Sequence, residues 1–194
     1  MPMSPALHYD ATQIARIPPR HPNWAKSPHS RGLAVPIDAI DARILTALQK
    51  DNRLTSDQLS VLVHLSPTAV QRRVKRLRAA GVIEADVSIV SPDAVGRPIL
   101  MLVSVALEHE RADIIDRFKQ SIRAAPEIMS GYYVTGEADF VLIVTAKSME
   151  HYEKFIRRFF YNTPNVKSFK TLVVVDRVKS GFTLPIEPTT TNGN

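Results

Sequence analysis

The chain has 194 residues, with 25 Lys and Arg against 19 Asp and Glu for a net charge of +6, and it contains no cysteine. That length suits one ordinary domain or two small ones, and the absence of cysteine excludes disulfides and thiolate metal sites. A 44% hydrophobic content allows a packed core. No apolar run approaches the roughly 18 residues of a membrane span, and the N-terminus has no signal-like stretch, so the simplest reading is a soluble cytoplasmic protein with no membrane partner.

Residues 1–36 hold seven of the fourteen prolines and three of the six histidines, with Asp10 as the sole acid. Pro18-Pro19 and Pro22 forbid a continuous helix, and apolar periodicity is missing, so a disordered arm is expected. Its Arg16, Arg20, Lys26 and Arg31 suit either a solvated tail or cations that track DNA phosphates.

At Ile37 the pattern changes. Asp38 is a good N-cap, and Ile40, Ile44, Leu45 and Leu48 recur at helical spacing, which predicts a first helix to about Lys50. Thr55 followed by Gln58 is a capping-box pattern and opens a short second helix, with Leu59, Leu62 and Val63 as its buried side. His64-Leu65 makes a tight turn. Ser66 caps a third helix that has Pro67 at its first position and ends at Gly81. Three such helices with two tight connections predict a helix-turn-helix domain over residues 37–90, with Val82–Val90 as a strand or wing leading out of it.

The third helix carries the chemistry. Residues 37–90 hold eight Lys and Arg against six Asp and Glu, and five of the eight lie between Arg72 and Arg78. Clustering on one helix is the electrostatic footprint of a phosphate-binding face. At 100° per residue Val70, Val74 and Leu77 face the core, which leaves Thr68, Arg72, Lys75 and Arg76 opposite, with Gln71 on the flank. The helix N-terminus enters the major groove in helix-turn-helix docking, so Thr68, Gln71 and Arg72 are the expected base readers. Ser66 and Thr68 can donate to phosphates there, while Arg73 and Arg78, beside the apolar stripe, suit phosphates or intramolecular pairing. The expected DNA-binding set is Ser66, Thr68, Gln71, Arg72, Arg73, Lys75 and Arg76, and the expected partner is double-stranded DNA.

Residues 91–98, with Ser91-Pro92 and Gly96-Arg97-Pro98, read as a hinge. Beyond it, strand patterns at Ile99–Leu107, Ile128–Thr135, Phe140–Thr145 and Val166–Val178 alternate with amphipathic helices at Asp113–Arg123 and Met149–Tyr161. The order βαββαβ over residues 99–186 is ferredoxin-like, so the fold class is α+β: a winged-helix-like N-terminal domain plus this second domain, with a flexible tail at 187–194. Two helices cover one sheet face only. The other, with runs such as Leu172–Val175, would stay bare in a monomer, which predicts a homodimer. Gly136-Glu137-Ala138-Asp139 between two strands is what a hairpin turn requires.

A helix-turn-helix followed by a ferredoxin-like domain resembles the leucine-responsive/asparagine-operon (Lrp/AsnC) family of regulators. The pieces carrying the resemblance are Ile37-Asp38 with Asp41 to Leu45, Leu65 to Thr68, Val74 to Leu77 with Ala80 to Ile83, and Gly136 to Phe140. It implies a transcription regulator that dimerises, often assembles dimers further, and binds a small effector, commonly an amino acid, in the C-terminal domain. Position by position it points to Tyr133, Thr135, Gly136, Glu137, Asp139, Met149, Leu172, Val173 and Val174 as effector-binding. Tetrapyrrole decarboxylases of sirohaem type share the architecture and are the alternative. They would need converging basic and histidine groups, whereas His64, His109 and His151 are scattered along the pattern. No GxSxG, HExxH, P-loop or Rossmann fingerprint is present, so the reading assigns no catalytic residue, metal or cofactor.

Overall fold

The computed structural model describes residues 35–161, 163 and 165–189. The expected N-terminal arm up to residue 34 and the tail from residue 190 lie outside the described residues. The chain forms two units, one running to Val87 and resuming at Gly181, the other spanning Ser88–Ser180.

The first unit is built on three helices, α1 Ala39–Lys50, α2 Ser56–Val63 and α3 Pro67–Ala79. Their starts follow from the caps. Asp38 accepts from the Asp41 N–H at 2.7 Å and Asp41 returns a bond to the Asp38 N–H at 3.3 Å; Thr55 and Gln58 form the same reciprocal pair before α2. Each satisfies two backbone donors that a helix N-terminus otherwise leaves open. Ser66 caps α3 through the Ala69 N–H, with Pro67 at its first position. Between α2 and α3 the chain turns at His64 in the left-handed region, φ 56°. The core is the shared apolar stripe of Ile44, Leu59, Val63, Val70 and Val74, closed over by Leu48, Leu54, Leu65 and Ile83.

Beyond α3 the structure forms no β-strand over Val82–Val90. The N–H groups of Val82 and Ile83 bond back to the Leu77 carbonyl, and residues 84–90 run on without a ladder partner among the described residues, with Val87, Ile89 and Val90 exposed. A strand is defined by its partner, and none is supplied here.

The second unit is a four-stranded antiparallel sheet in the order β2-β3-β1-β4, formed by β1 Ile99–Leu107, β2 Ile128–Tyr133, β3 Phe140–Ala146 and β4 Val166–Val173. Helices α4 Ala112–Ala124 and α5 Met149–Ile156 pack on one face, α5 running on into a π-helical turn at Arg157–Tyr161. This is the ferredoxin-like arrangement read from the sequence. Met101, Val103, Val105, Leu142 and Val144 point into the helices and meet Phe118, Phe155, Phe159 and Phe160. Full burial of such side chains contributes about 1.5–3 kcal/mol each. Alternation leaves Leu100, Leu102, Val141, Ile143, Tyr132 and Leu172 on the opposite, helix-free face, Leu102 standing directly between Ile143 and Leu172.

Three boundaries in the second unit differ from expectation, the first being β2, which ends at Tyr133 and not at Thr135. The last strand stops at Val173 and not at Val178, with one further bond from the Val174 N–H to the Leu100 carbonyl; β1 begins at Ile99 and so offers no partner to most of the expected extension, where Val175 and Val178 are exposed. The second unit ends at Ser180 and not at 186. Residues from Gly181 to Thr189 return to the first unit: Gln49 exchanges two hydrogen bonds with the Leu184 backbone, at 2.7 and 3.1 Å, and Thr189 bonds the backbone of Ile37. The portion of the expected flexible tail through Thr189 is therefore tied to Ile37.

Candidate DNA-reading helix and effector region

Helix α3 presents Thr68, Gln71, Arg72 and Lys75 along one open groove whose floor is Leu48, Leu54, Leu59 and Val74. Phasing explains the arrangement. Val70, Val74 and Leu77 are buried, and the groove residues lie on the turns between them. Ser66 stands at the helix start with its Oγ already accepting from Ala69, so a phosphate there would meet its hydroxyl hydrogen and the free N–H groups of the first turn.

The other two residues of the expected set sit differently. Arg73 donates to Asp38 at 2.6 Å and to Asp41 at 2.9 Å, and Arg76 donates to Asp41, whose side chain is completely buried. Arg78 pairs with Asp86 at 3.1 Å. The backbone N–H of Asp41 is the chief cause that holds the Asp38 carboxyl below its ordinary range, with Arg73 adding to it; Asp38 and Asp41 in turn raise Arg73. Among the described residues Arg72 and Lys75 are the α3 cations without an acidic partner. Sequence phasing puts Arg76 on the open, DNA-facing side of the helix because it does not weigh Asp41. The signal was available: Asp41 shares the stripe of Ile44, Leu45 and Leu48, and a carboxylate on a buried stripe requires a cation.

In the second unit the nine expected effector residues form two groups. Tyr133 ends β2, and Thr135, Gly136, Glu137 and Asp139 occupy the β2–β3 turn, where Gly136 has φ 131° and Thr135 and Glu137 are exposed. Asp139 is engaged: its Oδ2 accepts from the Leu107 N–H at 2.7 Å, and its own N–H donates to Val105 at 2.9 Å. Tyr133 lies 5.0 Å from Phe140, with the Lys119 ammonium 4.9 Å from its ring centre. Met149 follows the far end of β3, and Leu172 to Val174 close β4 beside Leu100 and Met101. From Val105 to Leu100 the sheet extends roughly 17 Å along β1, at about 3.4 Å per residue. Edge strands β2 and β4 are also separated by β3 and β1. One chain does not bring the two groups together.

A helix-turn-helix unit with a basic reading groove, followed by a ferredoxin-like unit with an uncovered sheet face, defines a two-domain DNA-binding regulator. The winged helix-turn-helix DNA-binding family matches residues 37–84, and the Lrp/AsnC ligand binding domain matches residues 100–184. The uncharacterized HTH-type transcriptional regulator y4tD of Sinorhizobium fredii is 66% identical over 154 residues, which is 79% of this chain and 91% of that protein. The leucine-responsive regulatory protein of Klebsiella pneumoniae is 31% identical over 151 residues, 78% of this chain and 92% of that one. Among solved structures, a transcriptional regulator from Neisseria meningitidis in complex with L-Met aligns with a TM-score of 0.73 at 30% identity, covering 76% of this chain and 96% of that one. The chain belongs to the Lrp/AsnC family of transcriptional regulators. This is a non-enzymatic family, which sets aside the tetrapyrrole decarboxylase alternative.

Proposed function

We propose that the protein is a cytoplasmic, sequence-specific regulator that binds double-stranded DNA as a homodimer and responds to a small effector of amino-acid type. The observation that carries the DNA reading is the α3 groove, where Thr68, Gln71, Arg72 and Lys75 converge; of its three cations, Arg78 pairs with Asp86 while Arg72 and Lys75 have no acidic partner among the described residues. Arg can read guanine and Gln adenine in the major groove, with Ser66 and Lys75 on phosphates. Selection of genomic fragments by the purified full chain tests it: recovery of a few discrete sequences is expected, and indiscriminate or absent recovery contradicts it.

Dimerisation is supported by the helix-free sheet face of Leu100, Leu102, Val141, Ile143 and Leu172, an apolar surface suited to a second copy of itself. The separation of the effector residues at opposite ends of the sheet supports a pocket completed by more than one subunit. The Neisseria meningitidis relative was solved with L-Met, so amino acids are the first ligands to titrate. A change in DNA affinity or assembly on addition of one of them is expected; indifference to all of them replaces this reading with effector-independent regulation. Sedimentation of the full chain with and without the amino acid reads both the dimer and any higher assembly of dimers.

A further inference from the structure

The five cations of α3 are not equivalent. Asp41, fully buried on α1, accepts from Arg73 through Oδ1 at 2.9 Å and from Arg76 through Oδ2. Asp38 takes a second bond from Arg73 at 2.6 Å. Two guanidinium charges are thereby matched by two carboxylates on the neighbouring helix. A buried carboxylate stripped of its cations is strongly disfavoured, so Asp41 is a demanding partner. Arg76 nevertheless keeps 46% of its side chain exposed, near enough to solvent for a phosphate to compete for it.

We propose that Asp41 is a specificity-determining positioning residue. From beneath the reading helix it holds Arg73 and Arg76 off the phosphate backbone, so that α3 meets DNA with Arg72 and Lys75. The inference rests on the DNA-reading assignment above. Its logic is that phosphate attraction is blind to sequence. Every added phosphate contact strengthens binding to all duplexes and steepens the fall of log K with log salt by about 0.9. A regulator is limited by its ratio of specific to nonspecific binding, because nonspecific sites outnumber operators by orders of magnitude. A helix with four unpaired cations would gain affinity everywhere and lose contrast; diverting two of them onto buried acid keeps the contrast. Asp41 does this without touching DNA.

An ion pair that merely fastens α1 to α3 would leave the salt dependence of binding unaltered, and that difference is measurable. The full-length protein is titrated against a random duplex and a selected operator over a range of salt. Asp41→Asn keeps the shape of the side chain and removes its charge. It is expected to steepen the random-duplex slope by about one unit and to lower the ratio of operator to random affinity. In the parent background Arg76→Gln is expected to leave the slope unchanged, whereas Lys75→Gln flattens it by about one unit. An Asp41→Asn protein with an unchanged or flatter slope overturns the inference, as does an Arg76→Gln protein that flattens the slope as much as Lys75→Gln. Where Asp41→Asn does not fold, the Arg76 and Lys75 pair decides the question alone. A parent protein that binds neither duplex overturns the DNA assignment and this inference together; a parent that binds, with either contrary slope, overturns the inference only.

Discussion

Arg72 projects into the α3 groove beside Gln71 and Lys75, with no acidic partner among the described residues to hold it. Arg72→Ala should weaken operator binding by about 1–3 kcal/mol and relax preference at one base position, since a bidentate contact to guanine is worth that much. Equal loss on operator and scrambled DNA would instead make Arg72 a phosphate contact. Asp139 carries a different lesson. The resemblance assigned it to the effector, yet its carboxylate also fastens the end of β1 by accepting from the Leu107 N–H, and Leu107 is only 7% exposed. Asp139→Ala leaves that donor unsatisfied and should cost the second unit about 1–3 kcal/mol in urea titrations. Asp139→Asn keeps an acceptor and should restore most of it. A lost effector response in Asp139→Ala therefore reports on the ligand only if Asp139→Asn, folded normally, loses it too. The open position of Arg72 was legible from helical phasing, but the Asp139 contact was not, because an Asp in a turn bonds locally in most chains and a bond to residue 107 exists only after folding.

At the scale of the elements, whatever local chemistry dictates was readable. Thr55 with Gln58 and Ser66 with Pro67 announced two helix starts correctly because capping involves residues three apart. What depends on a distant partner was not. The expected strand over Val82–Val90 has β-branched residues but no pairing strand among the described residues, and β4 ends at Val173, opposite Met101, short of the Val178 that composition suggests. Close approach of α4 to β2 was equally hidden. It depends on Gly131, where an added Cβ would lie 2.7 Å from Ile122 Cγ2 and 3.2 Å from Leu142 Cδ2. Ile122 is β-branched and stiff at χ1, so Gly131→Ala should cost about 1–3 kcal/mol by overpacking, read as a lower denaturation midpoint. The π-helical turn after α5 carries Arg158, which binds both oxygens of Glu127, at 2.9 and 2.8 Å. Burial pushes the Glu127 carboxyl up. The hydrogen bonds from Arg158, the Glu127 backbone N–H, and the charges of Arg158 and His151 outweigh it, and the net displacement is below the ordinary 4.5. The folded chain then holds this proton more weakly than the unfolded one. Its contribution is complete above the unfolded value near 4.5 and is lost as the pH falls through the lowered folded value. Arg158→Gln should flatten the stability profile in that acid window and leave its slope near neutrality unchanged. An unaltered acid limb would place the ionic contribution elsewhere.

Across the whole molecule the chain passes between its two units twice, after Val87 and after Ser180. The second passage was invisible to pattern reading, which extended the C-terminal domain to 186, because Gly181-Phe182-Thr183-Leu184 has no periodicity of its own. Its order comes from α1. The Gln49 amide presents a donor and an acceptor to the Leu184 backbone as a neighbouring strand would, and Thr189 does the same for Ile37, just before the first helix cap. The returning segment is thus a structural part of the DNA-reading unit, although it follows the last strand of the other one. A chain ending at Ser180 should keep a normal second unit and lose about 1–3 kcal/mol from the first, given about 0.5–1.5 kcal/mol for each exposed or half-exposed bond and some compensation by water. Hydrogen exchange resolves the two units separately. Amides of α1 in the shortened chain should exchange faster while those of β1 and β3 stay protected, and Gln49→Ala in the full chain should reproduce part of the effect. If α1 exchanges at its full-length rate in the shortened chain, the returning segment contributes nothing to the stability of the reading unit. If β1 accelerates as well, the segment supports the second unit and its pairing with α1 is incidental.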